Sequence, residues 1–399
     1  MRLIYTLLIH LHSYIMAVAA WFEPKAAKWV QGRKHWKLDL SQKINNHEQY
    51  IWIHCASAGE FEQAIPLIKK IGQEKPELKA AVSFFSPSGF DMYQDSELAA
   101  IFFYFPTDTR KHAESLLSLL NPAFVIFIKN EIWWNALMVL KEKSIPTYLV
   151  NADSGRKRNV FYQYYLDKVY PLFTKIFYVS AYGDTKLDKV IENKNTAFTD
   201  TILEDFCKDS LVIILGSSRK TEEALMALFY KQYSVKYPAL KMIVAPHEYN
   251  ESKCIELEKI FSDWQIPNAG EVIRYTDYQH TSNNRILFLD RKGILKFAYR
   301  YADIAFIGGG FGKSVHNMSE AAVYGLPTIF GPRYFKFEEV KELVRLKAAF
   351  PINDYAAFEN RLQLLINDTT LRTDISTKLA NYFSQQEKTA AKIISAILK

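Results

Sequence analysis

The sequence consists largely of short apolar runs that alternate with amphipathic helical stretches, and this alternation occurs in two successive sets. Nearly continuous apolar runs separated by helices are typical of parallel sheets that are covered on both faces. The first set of predicted strands is 50–56, 80–85, 101–106, 124–128, 147–152 and 176–180. The second set is 211–216, 241–246, 285–290, 304–310 and 327–332. We therefore predict two doubly wound α/β domains that face a cleft, with ligands beyond the carboxyl ends of the strands.

The length of 399 residues allows two domains that each bury a core of their own. A less regular stretch at 190–210 separates the two sets, so the predicted domains are 38–205 and 206–399, preceded by an N-terminal segment at 1–37. Three widely spaced cysteines favour neither a disulfide framework nor a zinc site. A reducing, cytoplasm-facing location fits this cysteine usage best.

The net charge of +7 is concentrated at the N-terminus of the chain. Residues 1–37 contain six basic side chains and one acidic side chain, which gives a net charge of +5 and leaves +2 for the remainder. A body this close to neutrality is not typical of a nucleic-acid-binding protein, so we expect no nucleic acid partner. The six basic residues are Arg2, Lys25, Lys28, Arg33, Lys34 and Lys37.

The segment before these basic residues is apolar. Residues 3–22 contain no Lys, Arg, Asp or Glu, and twenty such residues are just long enough to cross about 30 Å of hydrocarbon. A membrane span and an amphipathic or buried first helix are equally compatible with this segment. Trp21, Trp29 and Trp36 suit the interfacial zone of a membrane. In either case we expect the basic residues to attract an anionic membrane surface, at about 1 kcal/mol each, and to place the body on the cytoplasmic side.

Small and acidic residues follow two of the predicted strands in the first half. HCASAGEFEQA (54–64) contains Ser57 and Gly59, which let the backbone approach a ligand, and Glu60, which begins the next helix. A carboxylate at a helix start is favoured by the helix dipole, so capping is the simpler interpretation. The functional alternative is a general base whose pKa is tuned by burial. In KNEIWWNAL (129–137), Glu131 again follows a strand, and the two tryptophans after it are interpreted as packing residues.

A third turn in the first half, SPSG (86–89), offers the hydroxyls of Ser86 and Ser88 and the backbone at Gly89. These groups suit an anion or a sugar hydroxyl, although an ordinary connection between a strand and a helix has the same composition.

The second half carries a larger set of candidate groups. LGSSRKTEE (215–223) places Ser217 and Ser218 at a helix start, where exposed amides form an anion site. APHEYNE (245–251) contributes His247 at another strand end. The segment 306–332 is the densest, with candidates Gly309, Gly310, Lys313, His316, Asn317 and Glu320. Its glycine spacing is too short for an ATP-binding P-loop.

Together these motifs resemble the 3-deoxy-D-manno-octulosonic acid (Kdo) transferases of lipopolysaccharide assembly, which have the GT-B glycosyltransferase fold of two Rossmann-like domains. The matching segments are WIHCASAGE (52–60), SPSG (86–89), NEIW (130–133), GSS with EE (216–218 and 222–223) and FIGGGF followed by HNMSEAAVYGLPTIFGP (306–311 and 316–332). They occur in the family's order and spacing over nearly the whole chain.

The resemblance implies inverting transfer of Kdo from CMP-Kdo, as donor substrate, to a lipid A precursor (lipid IVA) at the cell inner membrane, with no metal or other cofactor. Glu60 matches the family's general base, and Glu131 matches a second acidic residue important for activity. The implied donor-binding residues are Ser217, Ser218, His247, Gly309, Gly310, Lys313, His316, Asn317 and Glu320, the last on the ribose. The implied acceptor-side residues are Ser57, Gly59, Ser86, Ser88 and Gly89.

Two positions depart from the family pattern. His247 stands where many members have a phosphate-binding Arg, so Lys313 or Arg219 is expected to compensate. Lys129 stands at a position that is often acidic.

Other functions also remain open: a GT-B enzyme with another nucleotide sugar or acceptor, an epimerase, or a catalytically silent membrane scaffold that binds nucleotide. An NAD-dependent oxidoreductase is disfavoured, because no GxGxxG follows a first strand.

Overall fold

The structure is a computed structural model that describes residues 2–129, 132–153, 160–248, 250–263, 272–279, 284–386 and 388–399. It divides into two compact units, Met1–Lys189 with Lys388–Lys399 and Val190–Glu387. The division comes earlier than the predicted boundary at 205/206, because residues after Asn193 bond within the second unit. Arg300, for example, donates hydrogen bonds to the carbonyls of Lys194, Thr196 and Phe198.

The first unit is a six-stranded parallel sheet with helices on both faces. Its strands are β1 (Gln49–Cys55), β2 (Leu78–Phe84), β3 (Ile101–Tyr104), β4 (Val125–Ile128), β5 (Thr147–Ala152) and β6 (Lys175–Tyr178). Its helices are α1 (Arg2–Ala19), α2 (Pro24–Lys34), α3 (Trp36–Lys43), α4 (Ala58–Glu74), α5 (Pro87–Tyr93), α6 (Arg110–Leu120), α7 (Trp134–Glu142), α8 (Val160–Val169) and α9 (Val179–Tyr182). Helix α10 (Thr185–Asn195) runs across the division between the units.

All six predicted strands of the first unit are present, in the order β3-β2-β1-β4-β5-β6. The strand sequences are apolar throughout because side chains of both orientations are buried: Tyr50 and Trp52 enter one core, while Ile51 and Ile53 enter the other. The second core also takes in a late helix of the chain, α19 (Thr389–Ile397), which packs against α4. The carboxylate of Asp188 accepts hydrogen bonds from the first two amides of this helix.

The second unit is a seven-stranded parallel sheet. Its strands are β7 (Leu211–Ser218), β8 (Leu240–Pro246), β9 (Val272–Arg274), β10 (Ile286–Phe288), β11 (Ile304–Ile307), β12 (Thr328–Phe330) and β13 (Ala349–Pro351). Its helices are α11 (Thr201–Cys207), α12 (Lys220–Tyr233), α13 (Glu251–Asp263), α14 (Leu295–Ala298), α15 (Ser319–Ala322), α16 (Glu338–Arg345), α17 (Tyr355–Asn367) and α18 (Thr369–Gln386).

The strand order of the second unit is β13-β12-β11-β7-β8-β10-β9. The five strands predicted here are present, and β9 and β13 are additional. Each of these edge strands has only three residues, which is too short for a recognisable apolar run. The prediction of doubly wound parallel sheets is confirmed in both units.

Helix α1 has a partly covered side and an apolar exposed side. On the covered side, the hydroxyl of Tyr5 donates to Asp108 at 2.6 Å, and Ser13 bonds with Thr107 at 3.5 Å. Eight large apolar residues on the other side are exposed: Leu3, Ile4, Leu7, Leu8, Leu11, Tyr14, Ile15 and Val18. The helix is long and apolar enough to cross a membrane, and none of its residues is buried.

Three expectations for the N-terminal segment are wrong. Trp29 and Trp36 are 6% and 8% exposed, so they pack into the first unit and are not available to a membrane interface. Arg33 is 8% exposed and is likewise withdrawn from any headgroup. The reason is that α2 and α3 pack on the sheet with these side chains inward. Trp21 remains exposed at 83%.

Candidate active site

In each sheet the strand order reverses beside the first strand of the unit, and the predicted site residues follow the strands at that point or next to it. In the first unit the reversal lies between β1 and β4, and in the second between β7 and β11. Loops at such a reversal diverge to opposite faces of the sheet and leave a crevice where ligands of these folds bind.

Glu60 is a half-buried carboxylate at the β1 crevice, in the first turn of α4. Its Oε2 accepts a hydrogen bond from the amide of Ala56 at 2.5 Å. Burial raises the pKa of Glu60, while the Ala56 hydrogen bond and the charge of Lys129 act in the opposite direction. The carboxylate is therefore held by its own loop, with the raised pKa that is typical of a candidate general base.

Lys129 brings the β4 end of this crevice close to Glu60. Its backbone has a φ of 63°, in the left-handed region that non-glycine residues seldom adopt and that is concentrated at functional sites. The residue is half-buried, and its ammonium charge is felt by the Glu60 carboxylate. Glu131, the second predicted acidic residue, lies outside the described residues.

The predicted acceptor-side loop is bonded to the Glu60 loop. The amide of Ser86 donates to the carbonyl of Ala56 at 2.8 Å, and the hydroxyls of Ser86 and Ser88 lie 3.0 Å apart. Gly89 is buried, and a Cβ built there would lie 2.3 Å from the Phe84 ring, so this glycine is required for packing. The structure thus brings Ser86 and Ser88 to the same strand ends as Glu60.

Ser57 and Gly59 complete the loop that follows β1. Ser57 precedes α4 at its N-terminus without a side-chain capping bond. Gly59 is exposed, and a Cβ built there would meet no atom within 4 Å. The space beside Gly59 is therefore open on the side of the molecule where an acceptor is expected.

A buried polar chain lies behind this crevice and was not predicted. Trp133 Nε1 donates to His54 Nε2 at 2.9 Å, and His54 Nδ1 lies 2.8 Å from Ser83 Oγ. Burial lowers the pKa of His54 to about 3, so the ring is neutral. Because Nε2 accepts, Nδ1 carries the proton and donates to Ser83. Trp133 is thus held by a hydrogen bond to a buried side chain, which agrees with its interpretation as a packing residue.

In the second unit, the loops after β7 and β11 cross at very short range. A Cβ on Gly308 would lie 2.1 Å from the Ser217 carbonyl oxygen, and one on Gly310 would lie 2.6 Å from the Gly331 nitrogen. Gly309 has a φ of 87°, which side-chain-bearing residues rarely adopt. Ser217 has a φ of 52°, again in the left-handed region. The glycine cluster is therefore required by backbone contact.

Two buried glutamates of α12 hold these loops. Glu222 Oε1 accepts from the amide of Gly309 at 2.8 Å. Glu223 accepts from the hydroxyl of Ser218 at 2.7 Å and pairs with Lys253 at 2.6 Å. These carboxylates are 1% and 0% exposed. The hydroxyl of Ser218, predicted to bind donor, is consequently engaged inside the protein, and its carbonyl accepts a hydrogen bond from the amide of His247 at 3.0 Å.

His247 and His316 are stacked, with ring centroids 4.1 Å apart. Burial lowers the pKa of His316 to about 4, with further lowering by His247 and by the charge of Arg219. Burial and then Arg219 also lower the pKa of His247. Two neutral rings with a guanidinium close by are thus assembled at the ends of β8 and β11 and the start of α12.

The last predicted donor residues form a partly satisfied polar cluster. Asn317 Nδ2 donates to Glu320 Oε1 at 2.8 Å. The buried atoms His316 Nε2, Asn317 Oδ1 and Ser319 Oγ have no hydrogen-bond partner among the described residues. Unpaired buried polar atoms are costly unless a ligand or water satisfies them. Lys313 is exposed on the same loop.

Two further residues shape the second crevice and were missed by the sequence analysis. Arg333 is bonded to the 309–315 loop: its guanidinium donates to the Gly312 carbonyl, and its backbone bonds with Gly310 and Val315. In the sequence, this role was indicated by its position directly after Gly331 and Pro332, the two residues that follow β12. Tyr299 is buried below Gly216, where a Cβ would lie 2.0 Å from its hydroxyl. In the described part of the chain no cluster of three or more His, Cys, Asp or Glu side chains is arranged to hold a metal ion.

Comparison with known proteins gives the same family as the motifs. Residues 32–199 match the family model for 3-Deoxy-D-manno-octulosonic-acid transferase (kdotransferase). The chain is 23% identical over 350 residues to the 3-deoxy-D-manno-octulosonic acid transferase of Haemophilus influenzae, covering 81% of each chain. It is 24% identical over 336 residues to the enzyme of that name from Aquifex aeolicus, covering 82% of this chain and 88% of the relative.

The fold also matches solved structures. The UDP-GlcNAc 2-epimerase of Neisseria meningitidis superposes with a TM-score of 0.59 at 12% identity, covering 88% of this chain and all of its own. At this identity the likeness is one of fold, and it extends over both units. The two Rossmann-like parallel-sheet units are those of the GT-B fold that the resemblance implied. The resemblance drawn from the motifs is thereby confirmed: residues 32–199 match the Kdo transferase family model, and the similarity to Kdo transferases extends over most of the chain.

Proposed function

We propose that this protein is an inverting glycosyltransferase that moves Kdo from CMP-Kdo to a lipid A precursor such as lipid IVA, with Glu60 as general base. The observation that carries this proposal is Glu60 itself. Its carboxylate is half-buried, has a raised pKa, and sits at the strand-order reversal beside the hydroxyl-bearing SPSG loop. Family membership supports Kdo as the transferred sugar.

In this mechanism Glu60 takes the proton from an acceptor hydroxyl held at the 57–60 and 86–89 loops. The acceptor oxygen attacks the anomeric carbon of Kdo as the bond from that carbon to the CMP phosphate breaks, so the configuration inverts. A carboxylate whose pKa is raised toward neutrality is a stronger proton acceptor than an exposed one, which is why its partial burial matters.

On the donor side, the departing phosphate needs positive charge and hydrogen-bond donors. The first turn of α12 offers backbone amides, and Arg219 lies directly before it. The charge of Arg219 lowers the pKa of both His247 and His316, which supports a role for it in the region where the family's usual Arg is missing. We therefore assign the compensating charge to Arg219 in preference to Lys313. The unpaired atoms around Asn317 suit the ribose and base of CMP.

The test is to incubate the protein with CMP-Kdo and a tetraacylated lipid A precursor and to identify products by mass spectrometry. A mass increase of one or more Kdo residues on the lipid is the expected result. UDP-sugars in place of CMP-Kdo should give no product. Turnover of a UDP-sugar would favour another GT-B enzyme or an epimerase, and CMP-Kdo binding without turnover of any donor would favour a silent scaffold.

We further propose that α1 lies in the plane of the cytoplasmic membrane surface and does not cross the bilayer. Tyr5 and Ser13, two turns apart on the helix, bond to Asp108 and Thr107, and the amide side chain of Asn135 donates to Thr6 at 3.2 Å. A span would have to break these contacts. The apolar residues on the opposite side are then free to enter the interface, as in other in-plane helices.

Membrane extraction separates the two arrangements. Carbonate at high pH is expected to release an in-plane helix from membranes, whereas a span would stay in the pellet. In a second arm, Leu7→Glu with Leu11→Glu should abolish flotation with vesicles containing anionic lipid. Lys34→Met should weaken flotation about fivefold, since one basic residue near the surface contributes about 1 kcal/mol.

A further inference from the structure

Arg33 is a buried cation at the junction between the N-terminal helices and the acceptor-side loop. Its Nη2 donates to the Phe85 carbonyl at 2.7 Å, and its Nη1 donates to the Trp29 carbonyl at 3.1 Å. Its Nε has no hydrogen-bond partner among the described residues. Only 8% of the residue is exposed.

The charge of Arg33 is not balanced by any carboxylate in the described part of the chain. Its guanidinium carbon instead lies 3.9 Å from the Trp29 ring centroid and 5.0 Å from that of Phe85. Burial lowers the pKa of Arg33 to about 9, so the side chain is charged at neutral pH. A buried ion without an ionic partner costs several kcal/mol, and ring contacts offset only part of that. An apolar side chain would pack this position at lower cost, so packing alone does not account for Arg33.

The carbonyl that Arg33 binds is the one immediately before the SPSG loop. Phe85 directly follows β2, the amide of Ser86 donates to the carbonyl of Ala56 at 2.8 Å, and Ser88 shares a hydrogen bond with Ser86. The Phe85 ring also lies 5.0 Å from the ring of Trp133. Arg33 therefore contacts two groups of Phe85, its carbonyl and its ring, at the start of the acceptor loop.

Arg33 also contacts the helices that precede the sheet, through the ring of Trp29 in α2. The Trp29 ring, on which the guanidinium stacks, is 5.4 Å from the ring of His12 in α1. The His12 ring is in turn 6.0 Å from Phe85. The three rings and the guanidinium form one cluster, which joins α1 and α2 to the residue before Ser86.

We propose that Arg33 is a positioning residue that fixes the acceptor loop 86–89 through the Phe85 carbonyl, so that the seating of the N-terminal helices sets the geometry of acceptor binding. This inference rests on the proposed function, because it concerns the acceptor loop of that reaction. It assigns to the N-terminal segment a role in substrate geometry in addition to membrane attachment. The fixed fork of the guanidinium is essential to it, since it holds two separate donors at the Trp29 and Phe85 carbonyls, a geometry that an ammonium on a flexible stem does not reproduce.

The kinetic test uses Arg33→Lys and Arg33→Met, with Gln31→Met as the matched control at an exposed position of the same helix. Acceptor is presented in detergent micelles, so that membrane attachment does not limit the rate. Both Arg33 variants are expected to raise the acceptor KM at least tenfold and to leave the CMP-Kdo KM within twofold. Gln31→Met should match the wild type. An Arg33→Lys enzyme with wild-type acceptor KM would overturn the proposal.

A second readout does not depend on activity. Hydrogen–deuterium exchange is measured on the full chain, and amides of the 86–89 loop should exchange at least tenfold faster in Arg33→Lys, while the strands of the second unit keep their wild-type rates. Unchanged loop exchange would contradict the positioning role. If Arg33→Met fails to fold, Arg33→Lys alone decides. If the wild type transfers no Kdo, the proposed function fails. The exchange rates of the 86–89 loop still decide whether Arg33 fixes that loop.

Discussion

The two units place a glutamate at the same point of their topology and use it in opposite ways. Glu60 is the third residue of α4, which follows the first strand of one sheet, and Glu222 is the third residue of α12, which follows the first strand of the other. Glu60 is half-buried and accepts an amide from its own loop. Glu222 is 1% exposed and accepts the amide of Gly309 from the neighbouring strand's loop.

This difference separates a carboxylate that is available for chemistry from one that is consumed by structure. Burial raises the pKa of both Glu60 and Glu222, so what distinguishes them is that the loop of the first unit leaves Glu60 half-buried. In the second unit Glu222 and Glu223 hold the backbone that is to meet the donor, and the glycines cross without room for a Cβ. We infer that the first unit supplies the reactive group and the second supplies a rigid ligand cradle.

The largest expected effect is on turnover. Glu60→Gln removes the proton acceptor but keeps the side-chain shape, so kcat should fall about 10³-fold, in the range usual for loss of a general base. Donor KM should stay within twofold. Glu62→Gln, on the same helix, is the control and should retain near-normal kcat. Steady-state rates with CMP-Kdo check both, and an active Glu60→Gln enzyme would remove this residue from the mechanism.

The corresponding change in the second unit should act on stability. Glu223→Ala removes the fully buried partner of Lys253, whose own side chain is 14% exposed, and frees the Ser218 hydroxyl, so the free energy of unfolding should drop by about 3 kcal/mol. Urea denaturation measures this. Glu256→Ala removes the more exposed partner of the same lysine and should cost under about 1 kcal/mol. Equal losses of unfolding free energy in the two variants would show that the buried Glu223 contributes no more to stability than the more exposed Glu256.

A side chain added to the glycine loop of the second unit should have a smaller effect on stability. Gly309→Ala forces a side chain onto a φ of 87° with its Cβ 2.6 Å from the Ser314 carbonyl oxygen. We expect a loss of about 2 kcal/mol in stability and a raised donor KM with little change in acceptor KM. Gly312→Ala is the control in the same loop, because its Cβ would meet nothing closer than 3.4 Å. A donor KM unaffected by Gly309→Ala would argue against donor binding there.

The smallest effect concerns the pH profile. Glu60 must be ionised to act as a base, so kcat/KM should fall as pH drops through its pKa, which burial places above that of an ordinary glutamate. The charge of Lys129 lowers this pKa, and Lys129→Met should therefore shift the acidic limb to higher pH. Lys143→Met, at an exposed position after α7, should leave the limb in place. A shift to lower pH in Lys129→Met would contradict this assignment.

Much of this architecture was predictable because its signals are local. Apolar runs fixed the strands, and the candidate residues followed those runs, so Glu60, Ser86, His316 and Asn317 were found as strand-end groups. The roles of Glu222 and Arg333 depend on which loop crosses which, and no periodicity reports that. Arg33 was counted among surface charges, since sequence shows its charge but not that α2 turns it inward.

The late helix α19 has a consequence for how the protein is made. Ala390, Ile393, Ile394 and Ile397 complete a core whose other members lie before residue 183. That core cannot close until residues 389–397 have been synthesised, whereas every strand of the second unit is complete by Pro351. The second unit ends at Glu387, so during translation all of it is made before α19, and the first unit waits with one apolar face uncovered until that helix follows. We expect ribosome-bound intermediates truncated before residue 389 to carry a chaperone-binding surface on the α4 side.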